Sequence, residues 1–335
     1  MSTRVLQLGF RSRGYGRLLL LPTLLSCFPL LAQSPALLDN AKPAVVLFEI
    51  LDRHGELLRE ANGCIVTPEG LVLTTYDAIR GGYSAAVHVS GHQSPSLLGV
   101  VGLDESHNLA VLKLSDPSLL PSALMGNAAT VRAGQEVYAI HTRSTLDDAV
   151  VPSRVVEPSG TPSGEEFEVQ PLQGTLASGD PLFDGSGHIV AVIGSAASGR
   201  VWHAVPASLA KPWFERGVQR SLREVTDAQT QESRLVTTTV MVPAHQVRTL
   251  TIPISPSLTG GDLELDFAAA GGLTSFIRMR LRVGSHLVYD SHRAAHGSFH
   301  MVVTEAVPLT LEWNNRGSLL LSRRVTTSLV VRQVH

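Results

Sequence analysis

Ser178 lies in the tight turn Ala177-Ser178-Gly179-Asp180-Pro181, and serine is a residue type that can act as a nucleophile. A serine hydroxyl attacks poorly until a base takes its proton, and an imidazole suits that task. The chain has 13 histidines. Of these, His107 and His203 are weighed as partners for Ser178, and His141 carries no distinguishing signal. His292, His296 and His300 recur every four residues, which on a helix would make one metal-binding face. Gly297 and the alternation Ser298-Phe299-His300-Met301 point instead to a hairpin. No metal site is expected there or at His88 and His92, and no cofactor is expected.

A chain of 335 residues, 44% hydrophobic and 17% charged, suits two globular domains. A net charge of −2 removes the electrostatic case for nucleic acid. Arg4, Arg11, Arg13 and Arg17 precede the apolar run Leu18 to Ala32, a pattern that fits a signal peptide over 1–34, with Ala32, Ser34 and Ala36 near the cleavage point. An uncleaved anchor is the alternative. Of two cysteines, Cys27 lies in the apolar run and Cys64 in the first domain, so export would leave no internal disulfide. Leu24-Leu25-Ser26-Cys27 loosely matches a lipid-attachment site. The expected location is periplasmic or extracellular, with a lipoprotein through Cys27 as the second choice.

Short apolar or alternating runs fill both halves, broken by turns such as Pro68-Glu69-Gly70 and Asp184-Gly185-Ser186-Gly187. Without long helices between them, a parallel sheet is disfavoured and an all-β chain is expected. Short helices are predicted over 35–41 and 208–222. The polar, aperiodic stretch 223–234 reads as a linker. The expected domains are therefore 35–222 and 235–335, the second a β-sandwich.

Four ordered blocks carry a resemblance: ANGCIVTPEGLVLTTYDAI (61–79), DESHNLAVLKL (104–114), LASGDPLFDGSGHIVAVIG (176–194) and HAVPAS (203–208). Together they resemble the trypsin-like proteases of the high-temperature-requirement type over 43–205. The resemblance implies a chymotrypsin-like double β-barrel. It puts Asp77 at the position of the catalytic base, Asn108 at the position of the orienting acid and Ser178 at the position of the nucleophile. It also puts Leu172, Leu176 and His203 at pocket and oxyanion-turn positions. A carboxylate is a poorer proton acceptor than an imidazole and cannot readily hand a proton to a leaving amine. Asn108 lacks the charge that stabilises an imidazolium. Leu176 and Asp180 stand where the family has glycine, and Asp180 is expected to put negative charge where an oxyanion would form.

In the second half, Gly271-Gly272, Val288-Tyr289, Gly297-Ser298-Phe299, Trp313 to Ser318 and Arg324-Val325 resemble a GOLD-type β-sandwich, a binding module for protein or lipid. A generic sandwich that merely packs on the first domain fits equally well. These features imply an inactive protease homologue of the bacterial cell envelope that binds protein or peptide, with lipid or glycan as further ligands of the second domain. Two alternatives stay open: an active endopeptidase rewired to Ser178 and His203, and a purely structural envelope component. The sequence assigns no oligomeric state.

Overall fold

The computed structural model describes residues 36–334 apart from 93, 117, 144–147, 157–165, 198 and 271–274. The signal-peptide and lipid-attachment readings, including Cys27, and the Gly271-Gly272 pair lie outside the described residues. Among the described residues no helix is long and apolar enough to cross a membrane.

After 3-10 turns at Ala36–Asn40 and Lys42–Ala44, twelve strands alternate with turns. β1 (Val45–Leu51), β2 (Leu57–Ile65), β3 (Leu71–Thr74), β4 (Ser84–Val89), β5 (Ser96–Asp104) and β6 (Leu109–Ser115) form one sheet in the order β4-β1-β2-β3-β6-β5. Its end strands β4 and β5 come together, so the sheet curls towards closure. A one-turn helix, α1 (Tyr76–Ile79), follows β3 and is capped by the Thr75 hydroxyl, which accepts from Ala78 N at 3.3 Å. β7 (Glu136–Thr142), β8 (Asp148–Val155), β9 (Phe167–Pro171), β10 (Pro181–Phe183), β11 (Ile189–Ala196) and β12 (Trp202–Pro206) close into a barrel in the order β10-β11-β12-β9-β8-β7. This agrees with the expected all-β double barrel, one unit closed and the other a curled sheet.

The second half is a sandwich of two four-stranded antiparallel sheets. β13 (Thr230–Val242), β20 (Arg323–Val334), β15 (Asp262–Ala270) and β18 (His296–Val302) make one sheet. β14 (Val247–Ile252), β19 (Leu309–Asn314), β16 (Arg278–Val283) and β17 (His286–Asp290) make the other. Alternate residues point inward, as a period-two strand requires. Leu263, Leu265, Phe267, Val325 and Leu329 of the first sheet meet Met279, Leu281, Leu311 and Trp313 of the second. The buried Trp313 Nε1–H donates to Thr327 Oγ1 across the core at 2.9 Å, so the indole is buried without losing its bond.

The predicted helix over 208–222 is only a 3-10 turn, Ala207–Trp213, because Pro212 cannot continue an α-helix. The predicted linker over 223–234 is ordered instead. Helix α2 (Leu222–Gln229) occupies its first part and β13 the rest. Ser221 and Glu224 form a reciprocal capping box at its start. Leu222, Val225 and Thr226 make one buried stripe, with Leu222 and Val225 in the core of the first barrel-like sheet. Thr226 Oγ1 donates to Gly82 O at 2.6 Å, and Tyr83 hydrogen-bonds Asp227. Just before the helix, Arg220 O accepts from Val100 N of β5 at 2.8 Å. Most of the polar residues that suggested a linker lie on the solvent side of this short helix or on β13, while Thr226 is buried.

Leu222→Ala is therefore expected to destabilise the protein by about 2–3 kcal/mol in chemical denaturation, as deletion of a buried leucine does. An unchanged midpoint would mean that α2 is not docked.

Candidate functional site

Ser178 lies between β9 and β10, in a turn pressed against the first sheet. Gly179 has φ +92°, and a Cβ there would come within 2.5 Å of Asn62 O, so both conformation and space require glycine. Its amide donates to Ile193 O at 2.8 Å, and Ile193 N donates to Asp180 O at 2.8 Å, which ties the turn to β11. The Ser178 hydroxyl hydrogen-bonds Thr75 Oγ1 at 2.9 Å. The nucleophile position thus faces another hydroxyl, and a hydroxyl is not a base at neutral pH.

Asp77 and Asn108 do meet. Asn108 Oδ1 accepts from Asp77 N at 2.8 Å, and Asn108 Nδ2 donates to Asp77 Oδ2 at 2.9 Å. Asn108 reaches this position from a left-handed backbone, φ 52°, which asparagine tolerates better than most residues. The pair reproduces a base-to-acid contact in outline. Its chemistry is different, because both amide functions of Asn108 are consumed in holding an exposed carboxylate and its backbone.

The other histidines are engaged elsewhere or are not bonded to Ser178. His107 Nδ1 lies 2.7 Å from Asp104 Oδ2, on its own turn. Burial works against the Asp104 carboxylate, but hydrogen bonds from Ser106 and His107 outweigh it and hold the group down to about 2. His203 lies on β12 opposite Glu168 of β9. Its Nδ1 is buried without a hydrogen-bond partner, and among the described residues no hydrogen bond joins His203 to Ser178.

Two of the residues at the expected nucleophile turn are buried. Asp180 is fully buried, and its carboxylate is taken up by partners within the protein. Its Oδ2 accepts from Ala177 N at 2.8 Å, its Oδ1 accepts from Asn62 Nδ2 at 2.9 Å, and the same oxygen lies 2.9 Å from His141 Nδ1. Leu176 is also buried, in the core of the second barrel with Val137, Leu182 and Val190. Its neighbour Leu172 is exposed. The sequence pattern did not single out Thr75, Asn62 or the His141–Asp180 pair. Asn62 is separated from Asp180 by 118 positions and His141 by 39, so no local spacing could announce the cluster.

Burial pushes the Asp180 carboxyl up, opposed by its bonds to His141, Ala177 and Asn62. The hydrogen bond to Asp180 raises His141 against its own partial burial. A base raised above its ordinary value of 6.5 stabilises the fold fully below that pH and loses this as pH rises through the folded value.

Residues 61–192 match the trypsin-like peptidase domain family, a segment that contains Asp77, Asn108 and Ser178. Among curated proteins, a probable periplasmic DegP-like serine endoprotease of Pseudomonas savastanoi is 31% identical over 146 residues, 42% of this chain and 30% of the relative. The mitochondrial serine protease HTRA2 of Bos taurus is 24% identical over 197 residues, 55% of this chain and 43% of the relative. A solved structure, the Rv3671c protease of M. tuberculosis in its active form, aligns at a TM-score of 0.47 and 20% identity over 56% of this chain and 86% of that one. The chain spans less than half the length of these two curated relatives. The first half of the chain carries a trypsin-like peptidase domain. The curated proteins to which this domain is similar include the DegP-like and HTRA2 serine proteases.

The His141–Asp180 pair predicts a pH dependence. Wild-type thermal stability should fall as pH rises from about 6 to about 8, and His141→Gln should flatten that slope. An equal slope in the variant would show that the pair does not hold the proton.

Proposed function

We propose that this chain is a non-catalytic trypsin-like protease homologue of the bacterial cell envelope that serves as a binding or scaffolding module for protein or peptide. The observation that carries this reading is the Ser178 hydroxyl bonded to Thr75 at 2.9 Å while Asp77 is clasped by Asn108. Among the described residues no imidazole is hydrogen-bonded to Ser178, and losing the base of a serine triad lowers turnover by about a million-fold. The envelope location is supported by the N-terminal targeting pattern and by the relative described as periplasmic. The family resemblance implies a substrate cleft lined by the segment 203–208. Such a cleft can keep affinity after the chemistry is gone, because binding and turnover draw on different groups.

The test is active-site labelling of the full chain with a fluorophosphonate probe, read by intact mass, beside an active trypsin-like protease. The expected result is no adduct on this protein, with Ser178→Ala indistinguishable from wild type. A stoichiometric adduct that disappears in Ser178→Ala would overturn the proposal and restore a serine hydrolase.

A further inference from the structure

Where the sandwich meets the first barrel-like sheet, chemistry-bearing side chains converge from separate parts of the sequence. The β1–β2 turn carries His54, and Glu56 follows it. Asp262 opens β15 and His300 lies on β18. In the β15–β18 ladder Asp262 faces Val302 and Glu264 faces His300, so Asp262 and His300 share one sheet face on a diagonal. The neighbouring residues Leu263, Leu265 and Phe267 are buried in the sandwich core. The face bearing Asp262 and His300 is therefore the outer one, turned towards the β1–β2 turn.

The contacts are close. His54 Nε2 lies 3.0 Å from Asp262 Oδ2. The His54 and His300 rings stack with centroids 3.6 Å apart and planes within 9°. His300 Nε2 lies 3.8 Å from Glu56 Oε1. One ligand atom each from His54, His300 and Asp262 falls within 4.8 Å of the others. The side chains are only 20%, 32% and 26% exposed respectively, so the cluster is sheltered but reachable. His300 and Asp262 also line a cleft of about 690 Å³ between the two halves.

The neighbouring cations have other partners. Arg332 pairs with Glu264 and Glu232, Arg59 donates to the carbonyls of Asp77 and Arg80, and Arg53 lies over the Tyr83 ring. Asp262 is thereby left to the histidines.

We propose that His54, His300 and Asp262 form a binding site for a zinc-class divalent cation, with Glu56 or water completing the coordination, and that the ion joins the sandwich to the first barrel-like sheet. Two imidazoles and a carboxylate are a borderline-soft donor set that suits zinc better than calcium or magnesium. Donor atoms around tetrahedral zinc lie about 3.4 Å apart, so a modest contraction closes the site. Parallel rings aim their lone pairs in parallel, and one imidazole must turn out of the stack about its own side-chain torsions. His300 and His54 sit on different elements, so either can turn without moving the other. His292 and His296 are not ligands here. His292 is in the turn before β18, and His296 is at the strand's far end from the cluster.

The experiment uses the full chain stripped with a chelator and titrated with zinc chloride, read by calorimetry, by metal content after desalting and by thermal midpoint. One zinc per chain is expected, with a raised midpoint. His54→Ala and His300→Gln should each weaken binding about 10-fold or more, while a His292→Ala/His296→Ala control keeps it. Circular dichroism of the metal-free variants confirms that each is folded, and Asp262→Asn repeats the test without removing an imidazole. The proposal is overturned if wild type binds no zinc, if affinity is unchanged in His54→Ala and His300→Gln, or if only the His292/His296 control loses it.

Discussion

A buried carboxylate holds the centre of this molecule. Asp180 has no exposed surface. An unpaired charge there would cost several kcal/mol, so its position is fixed by its partners. Those partners belong to three separate pieces of structure. Ala177 is in the Ser178 turn, His141 is on β7 of the closed barrel, and Asn62 is on β2 of the other sheet. Asn62 extends the network further. Its Oδ1 accepts from Thr142 N at 3.3 Å and its backbone O from Thr74 Oγ1 at 2.7 Å. The turn that once suggested only a nucleophile is thus also the knot between the two six-stranded units. Ser178 keeps its place for that reason whether or not it reacts.

This network changes the meaning of the residue that departs from the family's glycine. Read from sequence, Asp180 was a charge set against an oxyanion. Its direction could not be read, because side-chain direction in a turn depends on the long-range partners Asn62 and His141. Leu176 shows the same limit, since one turn residue can face solvent or core. The four blocks that mark the protease-like half were legible because each is local: a strand, a tight turn and the next strand in unbroken order. The period-two alternation of the sandwich was legible for the same reason, as in the burial of β19 at every second residue.

The misread linker has a different cause. Helix α2 has eight residues, and only Leu222, Val225 and Thr226 are buried. Two turns are too few to display a 3.6-residue period above a polar background. What secures the helix is its capping box and its contacts with Gly82 and Tyr83, which are local chemistry and long-range packing in equal part. The consequence reaches beyond secondary structure. Because α2 is docked, the strand that follows it enters the sandwich from a fixed point, and the outer face bearing Asp262 and His300 is brought to the β1–β2 turn. Arg80 Nη2, which donates to Val334 O at 3.2 Å, clamps the end of β20 to the same region.

The cleft residues differ from a working relay in how they are satisfied. In a Ser-His-Asp relay the serine hydroxyl is hydrogen-bonded to an imidazole, whose other nitrogen is held by the carboxylate. Here Asn108 spends both amide functions on Asp77, Ser178 is bonded to Thr75, and His107 is bonded to Asp104. Each is a closed pair within the protein. His203 differs, with a buried Nδ1 that lacks a partner. An unpaired buried nitrogen costs about 1–3 kcal/mol. That cost is offset by the packing of β12 in the barrel, where its next residues Ala204 and Val205 are buried.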